Sequence, residues 1–222
     1  AGQLLLDPHD ITVSNSASSP PTFVLVDPDS GLGTGFGTIV QQLSGGSLVV
    51  TKPGDTVGGN ANAGSVFFFN FATGGLISSL QGSHAGDQVG SGGLVFLNYA
   101  NYAAAMANYT PMAVDNTAPY LILSPAWNGG RGAITWVAAN GSVSGVLSAS
   151  NSLVGTAADD AIGSAVTGSG NGLYLLGNNS YVSVAANWSG GKGAVTWGSA
   201  TAGVIGAVSS ANSLVGTVAD DG

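Results

Sequence analysis

Gly129-Gly130-Arg131-Gly132-Ala133-Ile134-Thr135-Trp136 is written again as Gly190-Gly191-Lys192-Gly193-Ala194-Val195-Thr196-Trp197. The match extends on both sides. Tyr120–Asp160 and Tyr181–Asp221 align without a gap at an offset of 61 residues, with about half the positions identical. A second signature, Asn151-Ser152-Leu153-Val154-Gly155-Thr156, recurs as Asn212-Ser213-Leu214-Val215-Gly216-Thr217. Each is followed by paired acids, Asp159-Asp160 and Asp220-Asp221. A repeat of this length decides architecture. One such unit is a supersecondary element that buries its apolar face only by stacking on a neighbour.

Working outward, a degenerate earlier copy precedes these two. Gly64-Ser65-Val66-Phe67-Phe68 aligns with Gly132–Trp136, with Phe68 at the tryptophan position. Gly86-Asp87-Gln88-Val89-Gly90 aligns with Asp159-Asp160-Ala161-Ile162-Gly163. The repeat region is therefore 61–222, with units starting near 64, 132 and 193 and the last incomplete. It stops inside the motif that runs on through Ala161-Ile162-Gly163 in the preceding copy, so an excerpt or processed product of something longer is expected. Residues 1–60 form a distinct β-rich N-terminal segment. Leu4–Leu6, Ile11–Ser14, Thr22–Val26, Gly37–Val40 and Ser47–Thr51 are short β-prone runs bounded by Pro, Gly, Asp or Asn. Gly31–Gly37 and Pro53–Gly64 read as loops.

Within a unit the strand candidates are Ala133–Val137, Gly145–Ser148 with Leu153-Val154, Leu173–Leu176 and Tyr181–Ala185. Their residues alternate between two faces, as a pleated strand requires. Tyr99–Tyr109 matches Tyr181–Trp188 through Tyr102, Asn108 and Tyr109 and is read as a further strand. The expected fold is an all-β repeat protein of blade-like four-stranded units of about 61–68 residues, β-propeller-like, with a β-solenoid as the alternative.

Composition agrees. Gly supplies 37 of 222 residues, which suits strands joined by tight turns. Charged residues are 6%, and the long-chain helix formers are scarce. Hydrophobic residues at 44% argue against plain disorder. The net charge is −8 with three basic residues, which excludes the phosphate neutralisation that nucleic-acid binding needs. The same shortage excludes docking on an anionic membrane surface. There are no cysteines, hence no disulfide scaffold and no thiolate metal site. No apolar run is long enough to span a membrane as a helix.

Two resemblances follow from these residues. Leu4-Leu5-Leu6-Asp7-Pro8 with Ile11-Thr12-Val13, then Thr38–Leu43 and Gly46–Val50, is similar to the segment after the secretion domain of filamentous-haemagglutinin-like exoproteins. These are large Gram-negative surface proteins exported by two-partner secretion. The Gly-Ala-Val-Thr-Trp and Asn-Ser-Leu-Val-Gly signatures resemble a repeat found in such exoproteins. The resemblance implies display at the bacterial cell surface. The rhythm of the units also resembles the integrin-type propeller repeat. The turn before Tyr181, Gly177-Asn178-Asn179-Ser180, lacks the Asp-rich calcium loop of that repeat, so calcium binding is not carried over.

Few residues could carry chemistry. His9 and His84 are the only histidines, and His84 lies near Asp87 and several serines. No nucleophile-elbow motif accompanies them, and a polar loop is the simpler account. Asp159, Asp160, Asp220 and Asp221 recur in register, which points to turn hydrogen bonds or to ion pairs with Arg131 and Lys192. Asp27-Pro28-Asp29 and Asp7-Pro8-His9-Asp10 are oxygen-rich but lack the spacing of a calcium loop. Trp136 and Trp197 alternate with Ile134 and Val195 and read as core pegs. Trp127 and Trp188 precede Gly-Gly turns and are the candidates for stacking on sugar rings. Four glycosylation sequons, starting at Asn108, Asn140, Asn178 and Asn187, are expected by chance in a chain so rich in Asn and Ser. The expected function is a non-enzymatic, extracellular structural or adhesive repeat protein that self-associates or joins further repeats. A multivalent carbohydrate-binding module is the alternative. No cofactor or metal is expected.

Overall fold

Short runs of β-branched and aromatic residues, cut by glycine turns, form nineteen strands among the described residues, β1 to β19 in chain order. The computed structural model describes residues 5–6, 10–13, 23–98, 117–164 and 171–219. The strand expected over Tyr99–Tyr109, the histidine His9, and the acids Asp220 and Asp221 lie outside the described residues.

The N-terminal segment forms an antiparallel sheet of β1 (Leu5–Leu6), β2 (Asp10–Val13) and β3 (Phe23–Val26). A two-residue ladder, β4 (Gly33–Thr34) on β7 (Gly54–Asp55), crosses the two segments read as loops. Three antiparallel four-stranded sheets follow. The first is β5 (Val40–Gln42), β6 (Ser47–Lys52), β8 (Ser65–Asn70) and β9 (Leu76–Gln81). The second is β10 (Gly93–Phe96), β11 (Tyr120–Ser124), β12 (Ala133–Val137) and β14 (Leu153–Val154). The third is β15 (Asn171–Leu175), β16 (Tyr181–Ala185), β17 (Ala194–Gly198) and β19 (Leu214–Val215). This is an all-β repeat fold, and no sheet closes into a barrel. The helices among the described residues are two single turns, Trp127–Gly130 and Trp188–Gly191.

Two strands leave their own sheet. β13 (Gly145–Val146) and β18 (Gly206–Ala207) each reach back and pair in parallel with the last strand of the preceding sheet. β13 lies on β9, and β18 lies on β14. In sequence terms each sits directly before an Asn-Ser-Leu-Val-Gly signature. The signature's asparagine makes the return possible. Asn151 Oδ1 accepts from the Ser148 N–H at 3.0 Å, and its Nδ2 donates to the Val146 carbonyl at 3.0 Å. Asn212 repeats both contacts with Ser209 and Ala207. The next residue ties the turn to the central strand, with Ser152 on Thr135 and Ser213 on Thr196, each at 2.7 Å. Gly155 is needed for close approach, because a Cβ there would run into the Arg131 carbonyl.

The sheets therefore divide the chain differently from the sequence frame near 64, 132 and 193. That frame cuts each sheet between its second and third strands, because the best-matched signature marks a strand and not the edge of a unit.

Alternation then sets the packing. In the first sheet Leu48, Val50, Phe67 and Phe69 share one face, covered by Leu25 and Phe36 of the N-terminal segment. Val49, Val66, Phe68 and Leu80 share the other and pack on Tyr120, Ile122 and Val137 of the second sheet. The opposite face of the second sheet, Leu121, Leu123, Ile134 and Leu153, packs on Tyr181, Ala185 and Ala194 of the third. Each sheet is apolar on both faces, so its core is shared with its neighbours. At ~25 cal/mol per Å2 of apolar surface, each shared face contributes several kcal/mol, on the order of ~2 per fully buried large side chain.

Lys52 fastens the N-terminal segment onto this stack. It is 1% exposed, with Nζ 2.8 Å from Asp27 Oδ2, 2.9 Å from Asp55 Oδ1 and 3.0 Å from the Asp29 carbonyl. Burial works against its charge, but the hydrogen bonds to Asp27 and Asp55 outweigh it and raise its pKa above the ordinary 10.5. Burial, with the charge of Asp55 next, raises the Asp29 carboxyl.

Alkaline pH should unfold this stack. Burial pushes the Tyr181 hydroxyl from 10.0 up to about 12, and raises that of Tyr120 as well. A raised folded pKa contributes stability that is complete below the unfolded value and lost as pH rises through the folded one. The window for Tyr181 is therefore pH 10 to 12, and the loss is about 3 kcal/mol. Urea unfolding at stepped pH checks this. The expected result is a fall in midpoint across that window, made shallower by Tyr181→Phe.

Candidate functional site

The junction between units is where residues with polar chemistry are held most tightly. Asp87 and Asp160 are fully buried. Oδ2 of Asp87 accepts the N–H groups of Ser83 and His84, both at 2.9 Å, which closes its own loop. Its other oxygen, Oδ1, accepts the N–H of Asn128 in the next unit at 2.8 Å. Asp160 repeats the arrangement. Oδ2 takes the Thr156 N–H at 2.7 Å, the Thr156 hydroxyl at 3.0 Å and the Ala157 N–H at 2.9 Å. Oδ1 takes the Ser189 N–H at 2.8 Å.

The donating N–H belongs in both cases to the residue after a tryptophan. Asn128 and Ser189 have φ of 49° and 53°, and the left-handed backbone aims the N–H at the preceding unit. The tryptophan anchors that turn. Trp127 is 7% exposed and lies in the core between the first and second sheets. Trp188 is half-buried against the core between the second and third. Both indole Nε1 atoms are buried without a hydrogen-bond partner, so apolar packing is what holds the rings.

These placements revise the sequence reading of the tryptophans. Trp127, one of the two candidates for sugar stacking, has its ring inside the protein. Trp188, at the same repeat position, packs against the next core. Trp136 does act as a peg, half-buried beneath the loop at Gly203, where a Cβ would meet its ring. Trp197 does not: it is 53% exposed. Trp136 and Trp197 occupy the same position, but only the second sheet has a following sheet to cover it.

The acids sort in the same way. Asp160 has the turn role expected of the pair, and it also links units. Asp159 is exposed, with φ of 66°, and shapes the turn. The expected ion pair of Arg131 with Asp159 or Asp160 is absent among the described residues, where the lysine that pairs is Lys52, and the acids expected to pair with Lys192, Asp220 and Asp221, lie outside them. Arg131 and Lys192 both follow Gly-Gly at the end of the tryptophan turn, and their N–H and carbonyl groups are what the fold uses. The Ile162 N–H donates to the Arg131 carbonyl at 3.1 Å, and the Lys192 N–H donates to the Trp188 carbonyl at 3.0 Å.

Ser83, His84 and Asp87 come together, but not as a proton relay. The Ser83 hydroxyl and Asp87 Oδ2 both face Nδ1 of His84, at 3.0 and 3.5 Å. A triad needs the hydroxyl and the carboxylate on opposite ring nitrogens. Thr156, Ala157 and Asp160 build the same turn with no histidine.

What remains open is the last face of the stack. Val182, Val184, Val195, Trp197 and Leu214 stand where Leu121, Leu123, Ile134, Trp136 and Leu153 stand in the second sheet. Ile134 and Leu153 are 1% and 0% exposed, whereas Val195 and Leu214 are 39% and 79% exposed. A shallow open pocket on this face is lined by Val184, Ala186, Lys192, Val195, Leu214 and Val215. Among the described residues the edge of β19 carries no partner strand, although β9 and β14 each carry one. The signals that sequence reasoning missed here are backbone ones. The N–H groups of residues 128 and 189 leave no mark on side-chain chemistry, and only the recurring Asp hinted at them.

Three sheets with shared cores, clipped by a buried carboxylate at each junction, define an all-β repeat protein. A family model described as a repeat of unknown function (DUF5650) matches residues 42–91, 115–164 and 175–222. The chain belongs to that repeat family. Each of the first two matches takes in the last three strands of one sheet and closes just past the clip loop, so the first strand of the sheet lies at or outside the edge of the family's unit. No curated protein matches the chain.

Removing the clip should cost far more than removing its neighbour. Asp160→Asn exchanges one acceptor oxygen for a donor facing other donors. It should lower unfolding free energy by about 3 kcal/mol, the scale of hydrogen bonds to a charged group. Asp159→Asn keeps a residue that tolerates positive φ and should stay within about 0.5 kcal/mol. Urea denaturation of the two variants checks the difference.

Proposed function

We propose that this chain is a non-enzymatic, secreted structural or adhesive repeat protein that associates through its sheet faces, at a bacterial cell surface or in an extracellular filament or matrix. One observation carries the reading: the last sheet leaves apolar side chains in water that the preceding sheet buries completely, with Leu214 79% exposed against 0% for Leu153. Contiguous apolar surface on a soluble chain marks an interaction site. The sparse charge and the turn-rich sheets favour an extended assembly over a catalytic pocket. The resemblance of residues 4–50 to filamentous-haemagglutinin-like exoproteins supports export to the cell surface. Face-to-face stacking of four-stranded units supports a propeller-like arrangement over a solenoid.

Sedimentation velocity of the purified chain, from dilute to concentrated solution, tests the association. The sedimentation coefficient should rise with concentration. A folded chain that stays monomeric at the highest concentration would sink the proposal.

A further inference from the structure

Three acids converge on a lysine that water does not reach. Lys52 and Asp55 are 1% and 0% exposed, and Nζ of the first lies 2.9 Å from Oδ1 of the second. That oxygen takes no hydrogen bond from a hydroxyl or a backbone N–H. The other, Oδ2, accepts the Ser65 hydroxyl at 2.6 Å. Asp27 Oδ2 lies 2.8 Å from the same Nζ, and the Asp27 side chain is 12% exposed. Asp29 completes the group. Its carboxyl hydrogen-bonds to that of Asp55, and burial, with the charge of Asp55 next, favours its protonated form. The cluster therefore holds an acid as well as a base.

An ion pair accounts for the lysine and one carboxylate. It does not account for three carboxyl groups around a single cation, in a chain with three basic residues in all. A buried charge left without its own partner is costly. A carboxyl group held against an amine out of water is also a reactant, because amide formation removes both charges from the dry site.

We infer that Lys52 and Asp55 join in an intramolecular amide, formed by the folded chain from its own side chains. The step balances within the cluster. Asp27 accepts a proton from the Nζ ammonium and leaves a neutral amine. The amine attacks Cγ of Asp55, and the Ser65 hydroxyl steadies the negative charge that gathers on Oδ2. Asp29 protonates Oδ1 and recovers a proton from the nitrogen, and the proton held on Asp27 leaves with Oδ1. The Nζ–Cγ bond forms, the Cγ–Oδ1 bond breaks, and one water departs with two of the three ammonium protons. Asp27 and Asp29 end as they began. Oδ2 stays as the amide oxygen, and the remaining N–H is left for the Asp29 carbonyl, 3.0 Å from Nζ. The product is a neutral link between β6 and β7, at the strand on which β4 pairs. The pin at this end of the stack then no longer depends on charge.

Intact-mass spectrometry of the full chain, unfolded in denaturant, tests this. The expected mass is that of the sequence less one water, and fragmentation should place the link between Lys52 and Asp55. Lys52→Met and Asp55→Ala should each show the full mass of its own sequence. Asp29→Asn, which cannot relay the proton, should form the link at least about a hundredfold more slowly. The full sequence mass in the parent chain would overturn the inference, as would a deficit that persists in Lys52→Met. A cyclic imide at an Asp-Gly bond also lacks one water, but hydroxylamine opens it and leaves an amide intact. A deficit that hydroxylamine removes would therefore overturn the inference too. A link to Asp27 would overturn the choice of Asp55, and undiminished speed in Asp29→Asn would overturn the role of that acid.

Discussion

A β-sheet that is apolar on both faces cannot stand alone in water, and every sheet in the repeat region is of this kind. Val49, Phe68 and Leu80 face one way in the first sheet, and Leu48, Phe67 and Phe69 face the other. The rest of the structure answers that constraint. The N-terminal segment covers one face of the first sheet. Each later sheet covers the face left by the one before. Stability is then a sum of units and shared interfaces, the energetics of a repeat array.

Burial alone would let the sheets slide or rotate against one another. The buried carboxylates of Asp87 and Asp160 remove that freedom. Each divides its two oxygens between its own loop and one N–H of the next unit, so the loop forms fully only when the junction does. The strands β13 and β18 add a second directional element by lending hydrogen bonds across the same boundary. A charge this deeply buried is tolerated because its oxygens are hydrogen-bonded throughout. A single chain thus acquires fixed geometry from apolar surface that is itself non-directional.

The two ends of the stack are consequently unlike. The first sheet is sealed by Leu25 and Phe36 and pinned by Lys52 between Asp27 and Asp55. The third sheet presents Trp197 and Leu214 to solvent.

Much was legible in the sequence. The doubled Gly-Ala-aliphatic-Thr-Trp and Asn-Ser-Leu-Val-Gly signatures determined an all-β repeat, and the limits of Ala133–Val137 and Tyr181–Ala185 followed from residue alternation, because a strand's two faces are written at period two. The recurrence of Asp159-Asp160 as Asp220-Asp221 pointed to structural acids for the same local reason: a turn is specified by neighbours in the chain. What only the tertiary structure decided is where a unit begins, which tryptophan is buried, and what the acid holds. Trp136 and Trp197 occupy the same repeat position, yet only Trp136 is covered, because burial depends on what packs on the sheet in space. The partner of Asp160 is a backbone N–H twenty-nine residues away, a group every residue but proline carries, so no residue type announces it.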